Sequence, residues 1–176
     1  MLILNQKIRI KVCGMTRKED VEYCCNSGVD ALGFILADSP RQISLNKVRE
    51  LVIDIPPFIS RVAVVVNPGR SSIEKIINSG FFDYIQFHGK ESPDLLDEIP
   101  LKTIKAISIG KNTEEVNEDI NKYDMADYYL FDTKINKKRG GTGKVFDWSI
   151  LHDINFKKKF ILAGGLSYDN IDTALS

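Results

Sequence analysis

Seven short runs of apolar, largely β-branched residues recur along the chain, and what separates them reads as helix. The runs are "IRIKVCG" from Ile8, "ALGFIL" from Ala31, "RVAVVVN" from Arg61 and "YIQFHG" from Tyr84. They continue with "TIKAISI" from Thr103, "DYYLFDT" from Asp127 and "KFILAGG" from Lys159. Several are apolar nearly throughout instead of alternating, the pattern of parallel strands covered on both faces. In "SLNKVRELVIDI" the residues Leu45, Val48, Leu51, Val52 and Ile55 form a one-sided stripe at helical spacing. Thr16 with Glu19 resembles a capping box, and Ser92-Pro93-Asp94 reads as a cap, a first-turn proline and an early acid. "NTEEVNEDINKY" is a more polar helix with few apolar anchors.

Strand–helix alternation points to a parallel α/β fold. A new run begins about every 25 residues, the unit size of a (β/α)8 barrel. The rival doubly wound sheet carries G-x-G-x-x-G after its first strand, and this chain has none there. Only seven strands are found, and the chain stops at "NIDTALS", inside what reads as the seventh helix. The expectation is therefore a TIM-type (β/α)8 barrel with seven recognisable βα units and the eighth missing. It would be one domain over residues 1–176, incomplete at its C-terminal end.

Charge and cysteine usage narrow the function classes. Lys plus Arg and Asp plus Glu both number 24, so there is no cation excess of the kind a nucleic-acid or membrane-surface binder needs. The segment "MLILNQKIRIK" lacks signal-peptide architecture, and no apolar stretch approaches the ~20 residues of a membrane span. Cys13, Cys24 and Cys25 make neither a disulfide framework nor a C-x-x-C zinc pair, so a reducing cytoplasmic setting is expected.

In parallel α/β proteins the reactive groups gather at the carboxyl ends of strands. Strand one ends at Cys13 before Gly14, and strand two runs into "ADSPRQIS" with Arg41. Strand three ends at Asn67, strand four at His88, strand six at Asp132, and strand seven in Ala163-Gly164-Gly165. By default a free cysteine is a small buried hydrophobe, Arg41 a solvated loop cation and His88 structural. Asp132 is harder to dismiss, because a carboxylate at a buried strand end needs solvent or a partner. Gln86, two residues before His88, faces the same side of the sheet. Lys137-Lys138-Arg139 reads as solvated surface, or beside "GGTG" as an attractor of an anionic substrate. Lys157-Lys158-Lys159 precedes a strand at the opposite end and is given no role. Cys24 and Cys25 read as packing residues. In "AGGLS" two glycines expose backbone N–H groups before a helix N-terminus, which favours an anion.

The motifs "KVCGMTRKEDV", "ALGFILADSPRQIS", "VVVNPG", "IQFHGKE", "LFDTKINKKRGGTGKVFDW" and "LAGGLSYDNI", in this order, resemble phosphoribosylanthranilate isomerase over essentially the whole chain. The resemblance implies an Amadori rearrangement of a small phosphorylated substrate, with no metal or organic cofactor. It implies Cys13 as general base and Asp132 as general acid. Arg41 would hold the anthranilate carboxylate, and Gly164 and Gly165 half of the phosphate. The basic loop with Gly141 would cover the substrate, and His88 would contact it. The working unit would be a monomer or homodimer. The family's eighth strand, "D-V-S-S-G-V-E"-like, is not present. The competing readings are a shortened, catalytically impaired phosphate-binding barrel and a related phosphate-sugar barrel enzyme. The latter would need other acid–base residues.

Overall fold

The computed structural model describes residues 8–109, 113–133, 151, 154 and 158–175. These fall into two compact units. One runs to Glu91 and takes in Pro100–Lys102, and the other holds Ser92–Ile99 and the described residues from Thr103 onward.

The first unit alternates β1 (Lys11–Cys13), α1 (Lys18–Asn26), β2 (Ala31–Ile35), α2 (Leu45–Val52), β3 (Ser60–Val65), α3 (Arg70–Ser79) and β4 (Tyr84–Phe87). Its strands are parallel neighbours in chain order. Every strand expected from the apolar runs is present, though β1 begins at Lys11 and not at Ile8. Register and the two-residue period of strands sort the side chains. Leu32, Phe34, Ala63, Val65, Ile85 and Phe87 share one face and are all buried. Phe34 meets Phe82 edge-on at 6.3 Å. Val21, Val48, Leu51, Ile73 and Ile76, one or two from each helix, are buried as well, as expected of crossover helices laid on that face. The other face carries Cys13, Gly33, Val62, Val64 and Gln86.

The second unit contains α4 (Pro93–Asp97), β5 (Lys102–Ile109, with Lys102 assigned to the first unit), α5 (Thr113–Lys122), β6 (Tyr128–Thr133), β7 (Phe160–Ala163) and α6 (Ile171–Leu175). β5, β6 and β7 are again parallel in chain order. Tyr129 is buried, and its hydroxyl donates to the Ile120 carbonyl of α5 at 3.0 Å. Tyr129 and Phe131 therefore point to the helices, and Ser108, Asp132 and Ala163 point the other way.

Helix ends depart from expectation in two places. α1 starts at Lys18 with Arg17 as its cap residue, and no side chain closes the cap, so Thr16 and Glu19 do not frame the helix as a capping box. Arg17 instead grips Asp20 with two hydrogen bonds of 2.8 and 2.6 Å. α4 has Ser92 as cap residue and proline in its first turn as read, but again without a side-chain cap bond. The amphipathic α2 conforms fully, with Ser44 Oγ accepting from the Lys47 amide. No helix among the described residues is long and apolar enough to cross a membrane.

At the amino ends of the strands one device repeats. An aspartate stands immediately before β2, β4 and β6, and its carboxylate accepts a backbone N–H from the start of the preceding strand. Asp30 takes the Ile10 amide at 2.9 Å, Asp83 the Arg61 amide at 2.8 Å, and Asp127 the Thr103 amide at 2.8 Å. Asp83 also holds the Arg61 guanidinium bidentately, at 3.0 and 2.8 Å. Burial alone would raise the Asp83 carboxyl, but the hydrogen bonds and charge of Arg61 outweigh it and hold the group below its ordinary value.

Candidate active site

The first unit builds its functional face around the end of β1. Cys13 lies opposite Gly33 in register. A Cβ on Gly33 would sit 2.7 Å from Cys13 Sγ and 3.2 Å from both Cα and Cβ of that cysteine. The thiol thus occupies space that any side chain at position 33 would take. The next residue, Gly14, has φ +95, a backbone state L-residues rarely enter. A Cβ there would come within 2.6–2.9 Å of the Arg41 side chain. Arg41 uses that gap, and its Nη1 donates to the Cys13 carbonyl at 2.8 Å. Arg41 is exposed, as expected of a loop cation, and is at the same time docked on the strand that carries the thiol. Lys11 lies two residues before Cys13 on the same face. Burial pushes its ammonium below the ordinary value, and the cysteine's charge and hydrogen bond push it back. Two cationic side chains thus reach this strand end. Cys24 and Cys25 sit half-buried in α1, and burial raises the Cys25 thiol.

The ends of β3 and β4 are tied together by a buried acid that the sequence reading passed over. Glu91 is 4% exposed, and its Oε1 accepts the amides of Asn67 at 3.0 Å and Gly89 at 2.9 Å. Asn67 adopts the left-handed region, φ 45, and its side-chain oxygen accepts the Lys90 amide at 2.7 Å. This latch sets the turn that follows His88. Gln86 and His88 do share a side of β4, and the Gln86 Nε2 lies 3.0 Å from His88 Nδ1.

In the second unit Asp132 is half-buried at the end of β6, on the face away from α5. After β7, Gly164 and Gly165 both take left-handed φ, 73 and 68, which glycine adopts without strain. Asn170 closes the turn behind them, donating to the Gly165 carbonyl at 2.8 Å and accepting the Ser167 amide at 2.7 Å. α6 begins only at Ile171, so the glycines offer backbone groups of a turn and not of the helix end expected from "AGGLS". Gly141 and Lys137-Lys138-Arg139 lie outside the described residues.

Chemically, the first unit presents a thiol with two cations and an imidazole held by an amide. The second presents a carboxyl at a strand end and a glycine turn. Sequence reasoning missed Gly33 and Glu91. A glycine inside an apolar strand was the available signal for the first, since it marks a close backbone approach. For the second there was only an acid two residues beyond a glycine.

Comparison with known proteins assigns the chain. The family model described as N-(5'-phosphoribosyl)anthranilate (PRA) isomerase matches residues 10–176. An N-(5'-phosphoribosyl)anthranilate isomerase of Petrotoga mobilis is 57% identical over 169 residues, covering 96% of this chain and 81% of that protein. The crystal structure of phosphoribosyl anthranilate isomerase from Thermotoga maritima superposes with a TM-score of 0.86 at 33% identity, over 96% of this chain and 82% of that one. A phosphoribosyl anthranilate isomerase solved in complex with reduced 1-(o-carboxyphenylamino)-1-deoxyribulose 5-phosphate gives a TM-score of 0.83 at 30% identity, over 96% and 81%. The fold is the TIM-type (β/α) barrel, of which seven parallel strands are described. The motif-level resemblance and the match across the whole described fold agree, and the chain belongs to the N-(5'-phosphoribosyl)anthranilate isomerase family.

Proposed function

We propose that this chain converts N-(5-phosphoribosyl)anthranilate to 1-(2-carboxyphenylamino)-1-deoxyribulose 5-phosphate, a step of tryptophan biosynthesis, with Asp132 as general acid and Cys13 as general base. Asp132 delivers a proton to the furanose ring oxygen as the C1–O bond breaks, and the amine lone pair forms the C1=N bond of a protonated Schiff base. That iminium acidifies C2. Cys13 as thiolate takes the C2 proton, and the electron pair moves to C1=C2 to give an enolamine. Loss of the enol proton and protonation of C1 complete the aminoketose, with no net oxidation. Lys11 and Arg41 bring positive charge to the strand end that carries Cys13.

The observation that carries the reading is Cys13 itself. It is a thiol at a strand's carboxyl end, on the face away from the helices, in space kept open by Gly33. Arg41 is the partner for the anthranilate carboxylate and the Gly164–Gly165 turn for the phosphate, with the loop that carries Gly141 as the cover over the substrate. The ligand named in the solved relative's complex carries both groups. Three free thiols fit a reducing cytoplasm. The working unit is a monomer or homodimer, which sedimentation velocity distinguishes.

The test is single-turnover kinetics on freshly made substrate. Cys13→Ala and Asp132→Ala should each lose turnover by at least about 1,000-fold, in the range expected for an essential acid or base, while product still binds. A mutant within tenfold of wild type would remove that residue from its role.

A further inference from the structure

We infer that Lys11 is a further catalytic residue, whose ammonium donates a hydrogen bond to the oxygen on C2 of the substrate while Cys13 removes the C2 proton. The inference rests on the assignment of Cys13 as the base at C2. Lys11 and Cys13 stand two residues apart on β1, so strand period puts both on the face turned away from the helices. Opposite them in register are Ala31 and Gly33, and beyond these Ser60 and Val62. None of the four carries a charge, and Ala31 and Gly33 are small. The strip beside β1 is therefore low, which leaves a long lysine side chain room to run along the strand.

Lys11 is half-buried. Burial lowers its ammonium from the ordinary value, and the side chain that counters this is Cys13. Lys18, Lys47 and Lys158 each reach a carboxylate, but none pairs with Lys11 among the described residues. A desolvated cation without a counter-charge weakens a fold, and perturbed groups of this kind concentrate where chemistry is done. The reaction supplies the reason. Cys13 takes its proton from C2, and the C2 oxygen is bonded to that same carbon, so a cation beside the thiol lies beside that oxygen. Held there, the ammonium draws electron density from C2 through the oxygen and steadies the charge that builds as the proton leaves. Lys11 gives up no proton in this step. The C2–H bond breaks, its electron pair forms C1=C2, and the proton goes to sulfur.

The test compares Lys11→Met and Lys11→Arg with the native enzyme, on substrate carrying hydrogen or deuterium at C2. Lys11→Met keeps the length and loses the charge. It should lower kcat about 100-fold, the cost of losing one positioned donor, and leave KM within a few-fold. Its C2 deuterium isotope effect should exceed that of the native enzyme, because removal of the C2 proton is the step it slows. Its thermal midpoint should equal or exceed the native one, since a cation without a carboxylate partner has given way to an apolar chain. Lys11→Arg keeps the charge and should recover part of the rate. A Lys11→Met enzyme within about threefold of native kcat, or a slower one with an unchanged isotope effect, would overturn the inference. So would a joint fall in rate and thermal midpoint that Lys11→Arg does not reverse. Turnover surviving in Cys13→Ala would remove the base and the inference with it. An inactive Cys13→Ala beside an active Lys11→Met would strike Lys11 alone.

Discussion

Replacing Gly33 by alanine adds a single methyl group, and the geometry says where it lands. The new Cβ meets Cys13 Sγ at 2.7 Å and the Cα and Cβ of that residue at 3.2 Å. Ordinary carbon contacts lie near 3.5–4.0 Å, so the sulfur must retreat by about 1 Å and the backbone of β1 by a few tenths. The strand resists, because the Gly33 carbonyl accepts both the Gly14 amide at 2.8 Å and the Met15 amide at 3.0 Å. Overpacking of this kind costs about 1–3 kcal/mol. Alanine recovers about 0.4–1 kcal/mol by restricting the unfolded chain, leaving a net loss of roughly 1–2 kcal/mol. Catalysis should suffer more than stability. Misplacing a reacting group by about 1 Å costs on the order of 100-fold. The assay pairs urea unfolding followed by circular dichroism with kcat/KM from the decay of substrate fluorescence. A Gly33→Ala protein that keeps kcat/KM within threefold and loses no stability would refute the claim that this glycine makes room for the thiol.

Other outcomes follow from the same geometry. Gly14→Ala should lower stability by about 1–2 kcal/mol through its positive φ and raise KM by displacing Arg41, which steady-state kinetics would register. Asp83→Ala should cost about 1–2 kcal/mol at pH 7. Because the folded-state carboxyl is held below its ordinary value, this contribution is complete above the unfolded value near 3.9 and fades as pH falls through the folded one. The wild-type and mutant denaturation midpoints should therefore converge below about pH 4. Gly165→Ala forces a side chain into a φ of 68 and should weaken substrate more than it slows chemistry, seen as a higher KM with kcat within a few-fold.

Much of this molecule was legible from residue order alone, for definite reasons. Buried parallel strands must be apolar on both faces, so "RVAVVVN" and "YIQFHG" announced themselves. Residues at strand carboxyl ends followed from topology, which is how Cys13 and Asp132 became candidates, and their proposed roles came from the family resemblance. The parts that were not legible depend on neighbours distant in sequence. Nothing local links Arg41 to Gly14, yet the one lies where the other has no side chain. Gly33 became meaningful only when register set it against Cys13. At α1 the helix starts at Lys18 with Arg17 as cap residue, so Thr16 lies one residue too early to cap it. Strand period alone puts Gln86 and His88 on one side, but their 3.0 Å contact depends on side-chain placement that residue order does not carry.

The aspartates before β2, β4 and β6 have a meaning for how the molecule comes apart. Each spans one odd strand and the even strand after it, so the ties couple β1 to β2, β3 to β4, and β5 to β6. Among these side-chain ties none joins β2 to β3. The natural unit of local opening is then a strand–helix–strand doublet, larger than the single strand–helix step visible in the sequence. In native-state hydrogen exchange the amides of Ile10, Arg61 and Thr103 would act as three separate clocks. Each would report the opening of its own doublet, and Asp83→Asn would speed the Arg61 amide while leaving those of Ile10 and Thr103 at their former pace.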